Sequence, residues 1–504
     1  MSKRILILTT IISLVFGLAF SGIIFAADDS YWQDHKEVLD ELQSDGKPPT
    51  VIPVELIPQE DEATTALRER LNEIIDEYAP RIIEMSDWLY HNPESGYYEY
   101  NSSKMLGGEL EKQGFEVTYG VEGLDEGYNS VIEERFDAAG LPTAVIAKYK
   151  GKTEHPVICF VFEADALRAP TREKGAFHGC QHNMQGPTAV GAAVSFAKLL
   201  EEKNIPGSVW AVLTPAEEIP PPDKSAMAKA GVFDGVDIAF FSHGFGPTSK
   251  RNEAGLGNCC YLIDAALYDF HGKTAHGSSA WKGADSLDAA RLFLTAIDML
   301  REHSEPEFRM MSAITKTGNA PNVVDDYVQI DHWNRNTDPA GQAALQHKAE
   351  QIDQIARGVA MAAFNEVDIR HYAYYYNGIE YGWLNALMWE YVHEYGDPEA
   401  ISEELGKPSG WAECGYPSVN FPGIHVKPAI AGTPEVAGHS DENADLTISE
   451  KGHRALVQTA KIEGAMALRL VLDPKLLATV KEEQARWQEY GLEKGLITED
   501  MIRK

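Results

Sequence analysis

The feature that most constrains the fold is a series of short apolar runs separated by helical segments within residues 65–260. The runs at Val157–Phe162, 209–213 and Ile238–Ser242 are apolar enough to form buried strands, and residues 188–203 show helical periodicity. Strands that alternate with helices along a chain form layered α/β structures in which most strands are parallel. We therefore predict an α/β domain built on a mixed, mostly parallel sheet.

The pattern changes near Tyr261. An alternating run at 261–271 is followed by a helix at 286–301, a strand at 326–333, a helix at 341–364 and a strand at 367–376. This order predicts a separate ferredoxin-like α+β domain inserted into the first. The predicted domains are an N-terminal segment (1–27), an acidic extension (28–64), two parts of the α/β domain (65–260 and 379–474), the inserted domain (261–378) and a C-terminal helix (475–504).

The first 27 residues have the pattern of an export signal. Lys3 and Arg4 precede an apolar run at 5–25, and the chain becomes acidic at Asp28 and Asp29. The run is just long enough to cross a bilayer, so an uncleaved membrane anchor is the alternative to a cleaved signal. In both cases we expect an exported protein, either periplasmic or secreted, or held at the membrane by this segment.

Five cysteines in an exported chain raise the question of disulfide bonds. Cys159 lies within a predicted buried strand, where a cysteine usually acts as a small apolar residue. The sequence leaves open the disulfide state of Cys259, Cys260 and Cys414.

The charge balance argues against one class of partner. The chain has 77 acidic and 44 basic residues, which gives a formal net charge of −33. A polyanion such as nucleic acid would be repelled by this charge, and no basic stripe offsets it. We therefore expect no nucleic-acid partner.

Polar residues follow the predicted strands at the places where open α/β sheets form their sites. These residues are Glu163-Ala164-Asp165 after the first strand, His178–Asn183 before the 188–203 helix, Glu217-Glu218 after the second strand, His243 after the third strand, and His439 far downstream. Because the carboxyl ends of parallel strands lie at one edge of a sheet, these side chains are candidates for a shared site.

The residue types at this edge suit a divalent metal such as zinc, which prefers thiolate, imidazole and carboxylate ligands. The candidate ligands are Cys180, His182, Glu218, His243 and His439. Five ligands exceed one tetrahedral site but suit two metals that share a bridge. Glu217, beside a ligand, would hold the nucleophilic water and move its proton, while the metals would lower the pKa of that water and polarise the scissile carbonyl.

Taken in order, the motifs resemble a family of zinc metallopeptidases and amidohydrolases. That family includes aminoacylase, hippurate hydrolase, plant auxin-conjugate amidohydrolases and bacterial aminobenzoyl-glutamate hydrolase, and the resemblance spans about residues 65–472. The matching motifs are Leu89-Tyr90-His91-Asn92-Pro93-Glu94, Asp165-Ala166-Leu167, His178–Asn183, Thr214-Pro215-Ala216-Glu217-Glu218, residues 231–237, Gly272-Lys273-Thr274-Ala275-His276, Ala320-Pro321-Asn322-Val323-Val324 and Gly438-His439-Ser440. The His-Gly-Cys-x-His-Asn form of the third motif resembles that of the aminobenzoyl-glutamate hydrolase branch.

The resemblance implies a catalytic domain with two divalent metal ions, zinc or alternatively manganese or cobalt, and an inserted lid domain through which the chain forms a homodimer. It assigns the five ligands and Glu217 to the roles given above. It makes Asp165 a residue that orients a ligand, and it makes His276 a group that stabilises the oxyanion, typically across the dimer. Asn322 and Arg335 would contact the substrate, and Arg335 would pair with a free carboxylate of the substrate.

The chain departs from the family pattern around the site. Gln181 replaces the usual glycine between the Cys and His ligands, Leu213 replaces a glycine, and residues 219–223 are proline-rich where the family is glycine-rich. Residues 411–415 also replace a Thr-Asp-containing stretch. Since every ligand position and the base are present, we interpret these changes as a reshaped substrate pocket.

The sequence therefore predicts hydrolysis, by metal-activated water, of the amide bond in N-acyl or aryl-amino acid conjugates of the aminobenzoyl-glutamate type. A dipeptidase or carboxypeptidase on the same scaffold is the alternative among enzymes, and a binding protein that has lost activity is the alternative outside them. The acyl and amine specificity, the physiological metal and any need for an auxiliary subunit stay open.

Overall fold

The computed structural model describes residues 30–502, apart from residues 45, 220, 222, 244, 257–261, 319, 339–340, 376–377, 407–414 and 427. The expected signal or anchor at 1–27, the cysteines Cys259, Cys260 and Cys414, and residues 411–414 lie outside the described residues. Within the described part, no helix has both the length and the apolar character needed to cross a membrane.

The strands are numbered in chain order. They are β1 (Glu116–Tyr119), β2 (Val145–Tyr149), β3 (Val157–Phe162), β4 (Leu167–Arg168), β5 (Ala176–Phe177), β6 (Ser208–Leu213), β7 (Ile238–Ser242), β8 (Ser249–Asn252), β9 (Gly255–Leu256), β10 (Leu262–His271), β11 (Phe308–Lys316), β12 (Tyr327–Asn336), β13 (Glu366–Tyr375), β14 (Ile379–Glu380), β15 (Ile401–Gly406) and β16 (Gly423–Val426).

The α-helices are numbered in the same way. They are α1 (Tyr31–Asp34), α2 (Lys36–Leu42), α3 (Glu62–His91), α4 (Tyr100–Lys112), α5 (Glu126–Phe136), α6 (His182–Lys203), α7 (Asp223–Lys229), α8 (Ser286–Glu302), α9 (Gln342–Ala362), α10 (Gly382–Tyr395), α11 (Gly415–Asn420), α12 (Asp441–Thr447), α13 (Glu450–Leu472) and α14 (Pro474–Lys494).

The main sheet has the strand order β1-β2-β6-β3-β7-β16. Strands β6, β3, β7 and β16 are parallel, whereas β1 and β2 add an antiparallel edge. Every residue of β3 and β7 is buried, which is typical of parallel strands covered on both faces. The predicted mixed, mostly parallel sheet is confirmed.

Helix α6 connects this sheet to the other helices that cover it. It packs on β3, β6 and β7, and α3 and α13 pack against it and against each other. Gly191 allows the close approach of α3, because a Cβ at this position would lie 2.3 Å from Cδ1 of Ile82. All residues from 182 to 197 are buried. The amino-terminal end of α6, where His182 lies, is therefore held rigidly beside the carboxyl ends of the strands.

Residues 262–375 form a second unit, here called the inserted module. Its sheet has the order β11-β12-β10-β13, all neighbouring strands are antiparallel, and α8 and α9 pack on one face. This β-α-β-β-α-β order is ferredoxin-like, with one strand more than the β-α-β-α-β order expected from the sequence. Strand β11 was not predicted, because it is an edge strand with mostly exposed side chains and no apolar run. A lid or dimerisation role for the module stays a prediction.

The second face of the inserted sheet packs against helix α5 of the main unit. The apolar part of this contact is a cluster of Val131 from α5 with residues of β10 and β13. These partners are Ala265, Leu267, Tyr372 and Ala373. The contact buries apolar surface between the two units and gives the inserted module a defined position relative to the main sheet.

Ion pairs surround this apolar cluster. Glu134 of α5 accepts hydrogen bonds from Lys316 Nζ at 2.7 Å and from Arg370 Nη1 at 2.7 Å. The neighbouring Arg135 places its Nη1 2.9 Å from Asp331 Oδ2, and this pair is almost fully buried. Two neighbouring residues of α5 thus form ion pairs with three strands of the inserted module, which are β11, β12 and β13.

Replacing Glu134 with glutamine should weaken this contact in a pH-dependent way. The hydrogen bond from Arg370, together with Lys316, lowers the pKa of Glu134 from 4.5 to about 2. The stabilisation from its ion pairs is therefore complete above pH 4.5 and is lost as the pH falls toward 2. Urea unfolding should show wild type more stable than Glu134→Gln at pH 6, by about 0.2–1 kcal/mol per ion pair.

The difference between the two proteins should shrink as the pH is lowered from about 5 to 3. Glu133→Gln is the matched control, because Glu133 is exposed on the same helix, and its effect should stay near zero. A Glu134→Gln effect of the same size at every pH would contradict an electrostatic contact.

Candidate active site

The carboxyl ends of three parallel strands bring the polar residues together. Glu163 and Asp165 follow β3, Glu217 and Glu218 follow β6, and His243 follows β7. Since β6, β3 and β7 are neighbours in that order, their carboxyl ends lie at one edge of the sheet. The first turn of α6 adds His182 from the same edge, and Cys180 lies just before that turn.

His182 is at the centre of the cluster and is fully buried. Its Nδ1 lies 2.9 Å from Asp165 Oδ1, and its Nε2 lies 3.3 Å from Nε2 of His243 and 3.2 Å from Oε2 of Glu163. Burial alone would lower the pKa of His182, but Glu163, Asp165 and Glu218 raise it to about 10. The bond to Asp165 fixes the ring and points Nε2 at the other polar groups, as in carboxylate–histidine pairs that serve metals.

The candidate ligands, together with Glu217, form three overlapping groups in the described part of the chain, and within each group the atoms that could bind a metal lie within 4.8 Å of one another. These groups are Cys180 with His182 and His243, Cys180 with Glu218 and His439, and His182 with Glu217 and Glu218. Cys180 Sγ lies 3.5 Å from His243 Nε2, and His439 Nε2 lies 3.7 Å from Glu218 Oε1. The structure thus gathers all five ligands expected from the sequence.

The environment of Glu218 and Cys180 is suited to a cation. Glu218 Oε1 is buried and accepts no hydrogen bond from the described residues. Burial raises the pKa of Glu218 to about 7, and the nearby Asp165 charge also raises it. Burial and the charges of Glu218 and Glu217 likewise raise the pKa of the Cys180 thiol. A thiol and a carboxylate that are costly to ionise alone become favourable ligands when a divalent cation lies between them.

Asp165 links two of the strand ends. Besides its contact with His182, its Oδ2 accepts the backbone N–H of Glu218 at 2.9 Å. Its side chain is completely buried. Asp165 therefore orients one candidate ligand through its ring and another through its backbone, which is the place that the family resemblance implied for it.

The three residues expected to reach the substrate lie on the inserted module. His276 is exposed and accepts the backbone N–H of Ser278 at 3.1 Å, and the Asn322 carbonyl accepts the N–H of Gly277 beside it. Arg335 lies on β12 with its guanidinium 5.1 Å from the centre of the Trp333 ring. None of these three belongs to the ligand groups of the described residues, and their substrate roles stay predictions.

Part of the site was not predicted from the sequence. Glu163 was noted in its motif but given no role, yet it contacts His182 and forms a buried ion pair with Lys224 of α7. Lys224 and His182 hold the pKa of Glu163 below its ordinary value, against the opposing effect of burial. The signal available for Glu163 was its position directly after β3, whereas Lys224 carried no signal until the fold brought its side chain to Glu163.

Glu99 is a second residue that was not predicted. It is fully buried, accepts the backbone N–H of Ala216 at 2.7 Å, and lies near Asp165. Burial, with the Asp165 charge, raises the pKa of Glu99 to about 8. Its hydrogen bond fixes the residue that precedes Glu217. Its partner Ala216 is 117 residues away in the sequence, so no local pattern could have found the contact.

The proline-rich loop after the two glutamates has its own anchor. Tyr97, buried at φ 68°, donates its hydroxyl hydrogen bond to the carbonyl of Pro221 and stacks on Phe136 with ring centres 4.3 Å apart. Ala216, just before Glu217, has φ 61°. Positive φ at a residue other than glycine costs energy and often marks a functional site. The hydrogen bond from Tyr97 thus fixes Pro221, four residues after Glu217.

The chain matches a known protein family and several known proteins. The model of Peptidase family M20/M25/M40 matches residues 161–462, more than half of this 504-residue chain. The chain is similar to the Xaa-Arg dipeptidase of Mus musculus, with 29% identity over 432 residues that cover 83% of this chain and 92% of that protein. It is also similar to one of the subunits of the p-aminobenzoyl-glutamate hydrolase of Escherichia coli, with 29% identity over 350 residues that cover 66% of each chain.

Among solved structures, the chain resembles an aminobenzoyl-glutamate utilization protein from Klebsiella pneumoniae. The TM-score is 0.57 at 16% identity, over 79% of this chain and 98% of that one, which shows a shared fold. Fold and site together define a metal-binding hydrolase of amide or peptide bonds. The chain belongs to peptidase family M20/M25/M40, and the resemblance seen in its motifs is confirmed.

Replacing Asp165 with asparagine should weaken zinc binding by about 10–100-fold, because the residue orients two candidate ligands. The asparagine amide would place an N–H group where Asp165 Oδ2 now accepts the N–H of Glu218. Competition with a zinc-binding dye measures the affinity. Asp288→Asn, an exposed change on α8 of the inserted module, is the control and should bind zinc like wild type. Equal affinities of all three proteins would contradict the orienting role of Asp165.

Proposed function

We propose that the protein hydrolyses the amide bond of N-acyl or aryl-amino acid conjugates of the aminobenzoyl-glutamate type. The observation that carries the proposal is the overlap of the three ligand groups, in which Cys180, His182 and Glu218 each belong to two groups. Overlapping groups suit two cations that share ligands, which is the arrangement expected for a binuclear hydrolase.

The residues present fit this cofactor. A thiolate, three imidazoles and a carboxylate match the preferences of zinc, with manganese or cobalt as alternatives. We assign Cys180, His182, Glu218, His243 and His439 as the residues that would hold the two ions. When bound there, the ions supply Lewis-acid chemistry, which lowers the pKa of the attacking water and polarises the scissile carbonyl.

Glu217 is the residue that moves the proton. Its side chain is 6% exposed, and its Oε2 lies 4.0 Å from His182 Nε2, at the edge of the ligand cluster. In the proposed reaction it orients the attacking water, accepts its proton as the new C–O bond forms, and passes that proton to the amine nitrogen as the C–N bond breaks. His276, brought in with the inserted module, would donate a hydrogen bond to the oxyanion.

Two relatives support different substrates for this chain. The similarity to the subunit of p-aminobenzoyl-glutamate hydrolase supports an aryl-amino acid conjugate. The similarity to Xaa-Arg dipeptidase covers more of the chain and supports a dipeptide as the second candidate. Both reactions cleave a C–N bond next to a free carboxylate. Arg335 would pair with this carboxylate, and Asn322 would also contact the substrate.

A substrate panel separates these candidates. Purified protein is tested with N-acyl amino acids, p-aminobenzoyl-glutamate and dipeptides that include Xaa-Arg, with and without a metal chelator. We expect chelator-sensitive release of the amino acid from a conjugate. Faster turnover of Xaa-Arg dipeptides would favour the dipeptidase, and the absence of metal-dependent turnover across the panel would favour a binding protein.

Replacing Glu217 with alanine should leave metal binding intact while turnover falls by about 10²–10⁴-fold, the usual contribution of a general base. Elemental analysis of the purified variant measures the metal, and the panel measures turnover. Glu173→Ala, an exposed change between β4 and β5, should retain full activity. Unchanged hydrolysis by Glu217→Ala would remove this residue from the proposed role.

We further propose a homodimer formed through the inserted module. Large apolar side chains are exposed on this module, among them Leu292, Met299, Met361 and Phe364. Leu292 and Phe364 line one surface hollow of the module, and contiguous exposed apolar surface marks protein interfaces. In such a dimer His276 of one subunit would serve the active site of its partner.

Mixing two inactive variants tests this sharing. Each mixed dimer of Glu217→Ala and His276→Ala subunits would contain one site with both Glu217 and His276 intact. We expect up to about a quarter of wild-type activity to return once subunits have exchanged, since half of the dimers are mixed and each has one intact site of two. A mixture that stays as inactive as its components after proven exchange would show that His276 acts within its own subunit.

Export and the bounds of the catalytic domain are also proposed from the sequence. We propose that the protein is exported through its segment at 1–27, either as a cleaved signal or as an anchor, and that residues 65–260 and 379–474 form the catalytic domain. The apolar run at 5–25 after Lys3 and Arg4 supports export.

A further inference from the structure

We infer that Gln181 is a positioning residue that ties together three of the four chain segments carrying the proposed metal ligands. It lies between Cys180 and His182, and its side-chain amide contacts the segment after His243 and the segment after His439. This inference rests on the proposed metal site and adds to it a residue that touches neither metal nor substrate.

The backbone of Gln181 is in an unfavourable conformation. It has φ 67° and ψ 18° at the residue just before α6, in the left-handed region. For a residue with a side chain, this region costs about 1 kcal/mol or more relative to glycine. Gln181 is also 3% exposed, so its amide has been removed from water. Both costs need compensation from contacts that glycine could not make.

The first set of contacts reaches the segment of His243. Gln181 Oε1 accepts the backbone N–H of Phe245 at 3.0 Å, and its Nε2 lies 3.3 Å from the Phe245 carbonyl oxygen. Phe245 is 1% exposed and lies two residues after His243. The side-chain amide of Gln181 therefore fixes the backbone of Phe245, two residues after the candidate ligand His243. It does so with paired N–H and C=O contacts like those between neighbouring β-strands.

The second set of contacts reaches the segment of His439. Gln181 Nε2 donates to Asn443 Oδ1 at 3.0 Å and lies 3.3 Å from the Asn443 carbonyl oxygen. Asn443 Nδ2 in turn donates to the carbonyl of Gly179 at 2.8 Å, and that carbonyl also accepts the N–H of His439 at 3.0 Å. The side-chain amides of Gln181 and Asn443 thus form two hydrogen-bonded links between the Cys180 loop and the first turn of α12.

The chemistry of the amide explains why this residue is a glutamine. One side-chain group must accept an N–H from Phe245 and donate to the oxygens of Asn443, which requires an acceptor and a donor on the same planar group. A glutamate lacks the donor, and a glycine lacks both. Ligands from four distant parts of the chain need fixed relative positions to bind metal, and pre-organisation by neighbouring hydrogen bonds is worth about 10–100-fold in metal affinity.

The substitution Gln181→Gly tests the inference, because it removes the amide and also relieves the backbone. If Gln181 positions the ligands, the variant should bind zinc and cobalt about 10–100-fold more weakly. Its metal-free form should melt at the same temperature as wild type or higher. The Co²⁺-substituted protein should show altered visible absorption and a weaker thiolate-to-cobalt band from Cys180. A purely structural role for Gln181 would instead lower the melting temperature and leave the spectrum unchanged.

Two further variants complete the experiment. Gln181→Met keeps the length of the side chain and the backbone strain but loses the amide, so it should lose metal affinity and also melt at a lower temperature. Asn204→Gly relieves a left-handed residue of φ 55° at the opposite, exposed end of the same helix. It should raise or maintain the melting temperature without any change in metal affinity or cobalt spectrum.

The outcomes separate this inference from the proposed function. If Gln181→Gly binds metal as tightly as wild type and has the same cobalt spectrum, the positioning role is wrong and the hydrolase proposal remains intact. Wild type that binds no metal would overturn both. Loss of affinity in Gln181→Gly and Gln181→Met, but not in Asn204→Gly, is the result that the structure predicts.

Discussion

The constraint on which the rest of the structure depends is the crowding of negative charge around one buried imidazole. The carboxyl ends of the parallel strands deliver four carboxylates to the surroundings of His182, which are Glu163, Asp165, Glu217 and Glu218. Buried carboxylates are stable only when positive charge or hydrogen bonds compensate them. Lys224 compensates Glu163, while burial raises the pKa of Glu218 to about 7. Divalent cations bound among these groups would remove this electrostatic cost and, in the same place, supply the Lewis acid for amide hydrolysis.

The fold is organised so that this arrangement stays fixed. Helix α6 is buried from its first turn onward and packs on β3, β6 and β7, so His182 keeps its position against three strand ends. Asp165 connects the ring of His182 to the backbone of Glu218, and the amide of Gln181 connects the remaining ligand segments. Hydrogen bonds that orient the ligands in this way determine how well a metal site is formed. The inserted module is in turn held against the main unit by α5.

Much of this structure could be predicted because the relevant signals are local in sequence. Apolar runs such as Val157–Phe162 identify buried strands, and polar residues placed directly after them identify the edge where ligands gather. The edge strand β11 escaped because its exposed side chains resemble those of a loop. Lys224 and Glu99 escaped because their partners are brought to them only by the tertiary fold. Gln181 was visible as a departure from the family pattern, but its purpose depends on contacts with Asn443 and Phe245 that no spacing reveals.

The central claim is that five side chains from distant parts of the chain surround two metal ions. A crystal structure of zinc-loaded protein, with data collected on both sides of the zinc absorption edge, tests it most directly. We predict two anomalous peaks, each within bonding distance of some of the five candidate ligands, which are Cys180, His182, Glu218, His243 and His439. Peaks at other residues, or none among these five side chains in a protein that hydrolyses its substrate, would contradict the claim.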